Sequence, residues 1–423
     1  MEVYFLFCWF LGKMALTETL TKELTIVIAR PVYLNRLIAL KDTDAIKIIT
    51  GVRRSGKSVL LQLYRNYLES QGIASENIIY FNFEELDLLT IRDEQQLVAL
   101  LKPLLNKQAH QYLMLDEIQM VNGWQRVING IRVSYDCDIV VTGSNAKMLS
   151  GELATLLSGR YVEIPIYPFS FKEFLAAKDI APDSRMVDQA FNEFERYGGF
   201  PAVVLAAPEI KESILDGIFD TIVLNDVSMR ANVRDTETLR ALVSFLADNV
   251  GQLARPTKIA NTLKSEGITT SNHTVERYLS LLEDAFLFYR SRQYDLRGRG
   301  YLRTAGKYFV VDAGLRRNAV GRRPGNYGGQ LENIVYLELL RRGYTIDVGK
   351  LDAAEIDFVA RKVDQVLYVQ VTYEIPQNTH ETDNLLNIRD NYQKLLITQR
   401  YSDVQEIAGI PVVNIVDWLL ADE

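Results

Sequence analysis

Cysteine is scarce: the 423 residues contain only Cys8 and Cys137. Two cysteines cannot form a disulfide framework, which points to a reducing compartment such as the cytoplasm. Histidine is nearly as rare, and His110, His273 and His380 lie far apart in sequence. No cysteine–histidine zinc pattern is available. Metal chemistry would fall to carboxylates, hydroxyls and phosphates, which suits Mg2+. The apolar run Val3–Leu11 has nine residues, too short for a membrane span of about 20. Glu2 precedes it and Gly12-Lys13-Met14 follows, unlike the basic n-region and small cleavage-site residues of a signal peptide. The preferred reading is an upstream start codon with Met14 as the natural start; a weak membrane anchor and a packed extension are the alternatives. Positive charge is not in excess either. A net charge of −7 excludes a globally basic nucleic-acid binder and leaves room for a locally basic one. Internal repeats and low-complexity linkers are absent.

What is present is ordinary globular composition, 48% hydrophobic and 24% charged, which excludes a mainly disordered, collagen-like or multi-span membrane protein. The length predicts about three domains, because single cores stop growing near ~250–300 residues. Over residues 46–170, short apolar runs alternate with helical patterns. Ile46–Thr50, Asn77–Phe83, Tyr112–Leu115, Asp138–Thr142 and Tyr161–Ile164 read as strands. Ser58–Glu69 and Glu94–Leu105 read as helices. Such alternation predicts a parallel sheet covered on both faces. Pro168 ends the last strand and Ser170 is placed to cap a helix. Helical pattern then runs to about Leu246, broken by a turn at Gly198-Gly199-Phe200-Pro201.

The first strand leads into Gly51-Val52-Arg53-Arg54-Ser55-Gly56-Lys57-Ser58, which fits the P-loop pattern GxxxxGK[ST], with Val59 opening the helix behind it. Glycines let the backbone wrap phosphates and turn N–H groups inward, and the helix N-terminus adds positive partial charge. Lys57 is expected on the β and γ phosphates of ATP and Ser58 on Mg2+. Arg53 and Arg54 are unusual inside such a loop; they either add charge near the triphosphate or are simply solvated. The third strand ends in Asp116-Glu117. Asp116 is the expected Mg2+ carboxylate and Glu117 the group that polarises the attacking water. Ser144 and Asn145 follow the fourth strand, and either could sense the γ-phosphate; an ordinary helix cap is the alternative. Arg160 is read as a cation reaching the phosphates in cis or from a neighbouring subunit, against a plain surface ion pair.

GVRRSGKS, LDEIQ, TGSN and LSGRYVEIPIYPFSFKEF together resemble the AAA+-superfamily ATPases of bacteria and archaea that carry a C-terminal domain of uncharacterised function. The resemblance covers nearly the whole chain after Arg30. It implies an AAA-type nucleotide site, with Lys57, Ser58, Asp116 and Glu117 in the roles above.

Downstream, Thr257–Leu263, a turn at Gly267 and a helix over Ser271–Leu282 fit a winged helix, with Asn272, His273, Thr274 and Arg277 able to face a groove. The stretch after it is basic: Arg290, Arg292, Arg297, Arg299, Arg303, Lys307, Arg316, Arg317, Arg322 and Arg323 stand against Asp295 and Asp312, a local excess of eight positive charges. That is the footprint of phosphate-backbone binding, or of cations pairing with acidic neighbours. The last segment resembles a PD-(D/E)xK nuclease core: Glu332 on a helix, Glu355 and Asp357 on one strand, Gln370-Val371-Thr372 on the next. The expected acid and lysine of that second strand are missing, which implies an inactive fold. The expected organisation is an extension over 1–30, an AAA-type ATPase over 31–168, a helical lid-like segment over 169–246, a winged helix over 247–325 and a nuclease-like domain over 326–423. The fold class is α/β, a P-loop NTPase parallel sheet followed by a helical and winged-helix segment and a small α/β domain. The expected function is a Mg2+-dependent ATPase switch whose C-terminal half binds a partner, DNA or protein, with homo-oligomerisation open. An ATP-gated nuclease and a non-hydrolysing nucleotide sensor are the alternatives.

Overall fold

The computed structural model describes residues 28–146, 157, 159–229, 233, 235–298, 300–321, 327–352, 354–375 and 380–421. The readings of the first 27 residues, Met14 included, lie outside them. No helix among the described residues is long and apolar enough to cross a membrane.

The first unit begins with α1 (Pro31–Ala39), β1 (Ile46–Thr50), α2 (Lys57–Ser70), β2 (Ile78–Asn82) and α3 (Glu94–Leu101). It continues through β3 (Gln111–Asp116), α4 (Trp124–Ser134), β4 (Cys137–Gly143) and β5 (Tyr161–Pro165). All neighbouring strands pair in parallel, in the order β2-β3-β4-β1-β5. Both faces are covered. Ile46 and Ile48 enter the core under α3 and α4, and Ile49 enters the core under α1 and α2. This is why β1 reads as an unbroken apolar run rather than an alternation. The exception is Lys47, buried and paired with Asp138 at 3.0 Å. The expected P-loop sheet is therefore present. The helix α4 was legible but unread: Trp124, Val127, Ile128 and Ile131 recur at helical spacing and are buried.

A helical layer follows: α5 (Phe171–Ala177), α6 (Val187–Tyr197), α7 (Pro201–Val204), α8 (Lys211–Asp220), a π-helical segment Thr221–Met229, and α9 (Thr236–Asp248). Ser170 caps α5 in a reciprocal capping box with Glu173. Next come α10 (Pro256–Ser265), α11 (Asn272–Asp284), the antiparallel pair β6 (Phe288–Asp295) and β7 (Gly300–Val310), and α12 (Ala313–Val320). Ser271 caps α11, as expected. The chain closes with α13 (Tyr327–Arg341), β8 (Thr345–Leu351), β9 (Ala354–Lys362), β10 (Gln365–Thr372), α14 (His380–Leu386), β11 (Gln393–Thr398), β12 (Glu406–Ile407), β13 (Ile410–Asn414) and α15 (Ile415–Leu420).

The sequence reading put a boundary near residue 325, but one sheet runs across it. Its order is β12-β13-β11-β10-β9-β8-β6-β7, with β6 pairing in parallel with β8 over Gln293–Asp295. A single core likewise joins Phe171 and Phe194 to Leu246, Phe309, Tyr336 and Trp418. Residues 169–421 thus pack as one body.

The Gly198-Gly199 turn is explained by a residue more than a hundred positions away. Asp312 is buried, caps α12 through Gly314 and Leu315 N–H, and accepts the Gly199 N–H at 2.7 Å. Gly198 has φ +74°, and a Cβ there would meet Asp312 Oδ1 at 1.9 Å. Replacing Asp312 with Ala strands three buried donors, so Asp312→Ala should cost roughly 3–5 kcal/mol in urea denaturation.

Candidate functional site

The loop between β1 and α2 turns on two glycines. Gly51 (φ +146°) passes so close to β5 that a Cβ would stand 2.1 Å from Ile166 O, and Gly56 has φ +100°. Lys57 is buried at the start of α2. Its ammonium donates to the carbonyls of Gly51 and Val52 at 3.2 Å and lies 3.4 Å from Glu117 Oε1. Ser55 Oγ is buried with no hydrogen-bond partner, an orphaned polar atom inside the loop. Ser58 and Val59 face outward, and Arg54 is exposed with φ +65°.

Asp116 ends β3 at full burial, hydrogen-bonds to the Thr142 hydroxyl and lies near that of Ser58. Burial pushes its carboxyl above the usual range, against the two hydroxyls. Glu117 adopts φ +52°, its N–H donating to Thr142 Oγ1 at 2.9 Å. Its carboxylate is gripped by Gln119 and by Ser144 Oγ at 3.2 Å. Burial pushes Glu117 up, but Lys57, Gln119 and Arg53 outweigh it, so it titrates below the usual range and is ionised. Of the two sensor candidates, Ser144 touches Glu117. Asn145 is half-buried at the end of the same strand.

Arg53 is partly exposed and is shared between two carboxylates. It pairs with Glu84 at 2.8 Å and with Asp226 of the π-helical segment at 3.2 Å. Arg160 is placed differently from the in-cis reading. Its carbonyl accepts the Ile46 N–H, at the sheet end where β1 begins. The phosphate loop lies beyond the other end, about 16 Å along the strand. The Arg160 side chain is exposed, 3.6 Å from Asp44. It cannot reach this chain's own loop; only a role toward a neighbouring copy or a surface ion pair remains.

Several residues were missed by sequence reasoning. Gln119 and Thr142 sit within the motifs LDEIQ and VTGSN, yet nothing in their spacing announces the grip on the two carboxylates. Arg30, assigned to an extension, is the most consequential. It is 1% exposed and pairs with Glu173 through Nε and Nη2, at 2.8 and 2.9 Å. Nη1 donates to Ser55 O and Nη2 to Tyr167 O, both at 2.8 Å. Holding the Ser55 carbonyl outward turns the trans-related Gly56 N–H to the opposite side, into the loop.

The downstream candidates scatter. Thr274 Oγ1 is 2.9 Å from the capping Ser271 hydroxyl, and Arg277 is exposed beside Glu276 on α11. Arg297 pairs with Asp352. Arg299, Arg322 and Arg323, and the side chain of Arg303, fall outside the described residues. Two members of the basic stretch are not surface charges at all: Lys307 and Arg316 are buried. The charge excess overstates the exposed positive surface. Glu332, Asp357 and Gln370 do come together, around Lys307.

A glycine-framed phosphate loop, a buried Asp116-Glu117 pair and strand order β5-β1-β4-β3-β2 define a P-loop ATPase of the AAA class. The AAA domain family matches residues 43–175, and a domain of unknown function matches residues 188–325. An uncharacterized protein of Haemophilus influenzae is 61% identical over 395 residues, covering 93% of this chain and 99% of that protein. The uncharacterized protein MJ1544 of Methanocaldococcus jannaschii is 32% identical over 364 residues, covering 83% of this chain and 80% of that protein. The chain belongs to one family with these proteins, and its N-terminal unit is an AAA domain. Among solved structures, a Walker-type ATPase of Pyrococcus abyssi matches with a TM-score of 0.49 and 14% identity, over 69% of this chain and 95% of that one. The Aeropyrum pernix ORC1 protein in complex with DNA matches with a TM-score of 0.32 and 16% identity, over 70% of this chain and 93% of that one.

Arg30→Lys keeps the charge but not the fork, so it cannot hold Ser55, Tyr167 and Glu173 together. The expected result is folded protein with ATP affinity reduced by about 10-fold, or ~1.4 kcal/mol, in calorimetric titration.

Proposed function

We propose that this chain is a Mg2+-dependent ATPase that works as a switch, its nucleotide state read out by the body formed by residues 169–421. The observation that carries the reading is the convergence of Lys57, Ser58, Asp116 and an ionised Glu117 at the mouth of one loop. The residues fit both ATP and its metal. Glycine-permitted backbone and the N-terminus of a fourteen-residue helix suit phosphates. The Ser58 hydroxyl, near the Asp116 carboxylate, suits Mg2+. Mg2+ held by Ser58 and Asp116 would supply neutralising charge to the β and γ phosphates.

The protein's own groups have distinct tasks. Lys57 is expected to leave the carbonyls of Gly51 and Val52 for the phosphate oxygens, a stronger charged partner. That also removes its ammonium from Glu117. Glu117 then accepts a proton from, or orients, the attacking water, once Gln119 and Ser144 yield their hold. Arg160 is proposed to act on a neighbouring copy, which makes a homo-oligomer part of the reading.

For the partner, a protein is the better-supported class. The outer face of α11 sets Glu276 beside Arg277, and the stripe loses Lys307 and Arg316 to the interior. Duplex DNA is the second reading. It rests on the order of α9, the Ala254–Gly306 bridge, α10, α11 and the β6–β7 hairpin, which is that of a winged helix. The exposed Arg255, Lys258, Lys264 and Arg290 supply its charge.

Lys57→Ala should abolish hydrolysis and weaken ATP binding, whereas Glu117→Gln should keep binding and lower turnover by about 100-fold or more. Phosphate release and nucleotide titration check both, and wild-type protein that binds no ATP in the presence of Mg2+ rules the reading out. A DNA mobility shift that weakens with salt would promote the second partner class.

A further inference from the structure

The C-terminal sheet holds a charge arrangement that the nucleotide site does not use. Glu332 comes from α13, Glu355 and Asp357 from β9, and Lys307 from β7. The Lys307 ammonium is 2.8 Å from Glu355 Oε1, 3.1 Å from Glu332 Oε2 and 3.4 Å from Asp357 Oδ1. Its side chain is 1% exposed. The sequence reading held that a nuclease-like core here has lost its lysine. A lysine is present, but it arrives from the hairpin that precedes the core in the chain.

Its position matters more than its presence. An ammonium touching all three carboxylates occupies the point that a divalent cation would need, since such an ion binds oxygens at about 2.0–2.6 Å. Two cations cannot share that point. One of the acids is engaged elsewhere as well: Asp357 Oδ2 accepts the Val371 N–H at 2.9 Å, while its backbone N–H donates to Gln370 Oε1 at 3.3 Å. Among the described residues no group of three His, Cys, Asp or Glu side chains is arranged to hold a metal ion. The residues therefore do not fit the metal that a PD-(D/E)xK core implies.

Nor is the ammonium on a loose arm. Lys307 pairs with Ser291 across the hairpin, and its neighbour Gly306 bridges to Ala254. A Cβ on Gly306 would lie 2.9 Å from Ser291 O, so the strand is seated tightly. Glu332 is seated too, under Gly251, where a Cβ would meet its Oε2 at 2.7 Å.

We propose that Lys307 is the resident cation of this cluster. Its ammonium stands where a divalent ion would, and it converts a nuclease-like acidic site into a metal-free ionic lock that pins the β6–β7 hairpin to α13 and β9. The lock leaves a surplus of negative charge. Burial, with Asp357 beside it, pushes the Glu332 carboxyl up to about 8, which relieves part of that surplus by protonation.

The test is Mn2+ binding to the full-length, nucleotide-free protein, followed by electron paramagnetic resonance and by thermal unfolding. Any Mn2+ bound near the P-loop is common to all variants, and Asp357→Asn isolates the cluster. Wild-type protein should show no Mn2+ binding that depends on Asp357. Lys307→Met should gain such binding, at least ~10-fold tighter than wild type, and its unfolding temperature should rise with Mn2+. Lys307→Arg should remain insensitive to Mn2+. If Lys307→Met does not fold alone, the proposal requires that Mn2+ restore its folding. Asp357-dependent Mn2+ binding or Mg2+-dependent DNA cleavage by the wild type overturns the lock, as does a Lys307→Met chain that Mn2+ neither binds nor rescues.

Discussion

The buried Arg30 guanidinium fixes how the nucleotide loop meets the rest of the molecule. It stands between the Tyr33 and Phe169 rings, 4.6 and 5.3 Å from their centroids. A charge buried this deeply is tolerable only when its donors are matched. The match here is divided among three chain segments: Glu173 at the start of α5, Tyr167 in the linker and Ser55 in the loop. Burial alone would favour the neutral form, but the Glu173 carboxylate outweighs it and holds the guanidinium charged. The same side chain thus fixes a peptide plane of the phosphate loop and the entry of the helical layer. A shift of that layer relative to the sheet has to move the loop, or break a charged pair in a dry site.

The linker 166–169 collects the remaining connections. Ile166 N–H donates to Thr50 O beside the loop, and Phe169 N–H donates to Gly199 O. Arg341 donates to the carbonyls of Pro168 and Phe169 at 3.2 and 3.4 Å. Arg341 belongs to α13, which also carries Glu332 in the Lys307 cluster and Asn333, hydrogen-bonded to both backbone groups of Val310. Glu332 and Arg341 are nine residues apart, about 14 Å along a helix. One helix therefore spans the distance from the ionic cluster to the linker 166–169.

The ATPase sheet was legible because each strand is short, apolar and closed by turn chemistry, so period and punctuation agree. Ile46–Thr50 is both the predicted and the observed strand. The loop's place between β1 and α2 was legible because glycine spacing and a lysine–serine pair mark it. What could not be read was anything that depends on partners distant in sequence. Arg30 and Glu173 are separated by 143 residues, and Gly199 and Asp312 by 113. Lys307 shows the cost most clearly. In the sequence it counts as one more positive charge in a basic stretch and as a gap in a nuclease pattern. In the fold it is neither, because β7 joins the sheet beside β6 and delivers its ammonium to carboxylates from two later elements. The sheet that continues across residue 325 was hidden for the same reason: strand pairing, not composition, joins β6 to β8.

On the proposed reading, these connections mark where a nucleotide-driven switch would act. Residues 169–421 share a core and, through the hairpin, a sheet, so relative motion concentrates at the contacts with the ATPase unit. Arg30–Glu173 and Arg341 with the linker carbonyls are buried, and breaking either strands charge away from water. Arg53 is different. Its side chain is 24% exposed, belongs to the phosphate loop and is shared between the exposed Glu84 and the buried Asp226. A γ-phosphate would add negative charge within the same loop and compete with the exposed Glu84 for this guanidinium at little desolvation cost, whereas the Asp226 carboxylate, 3% exposed, would lose a charged partner in a dry site. Asp226 lies in a nine-residue π-helical stretch, a geometry found mainly at functional sites because its hydrogen bonding is less favourable than that of an α-helix. Of the three contacts, Arg53–Asp226 is the one whose cation belongs to the phosphate loop itself. It is therefore the contact best suited to carry the nucleotide state into the helical layer.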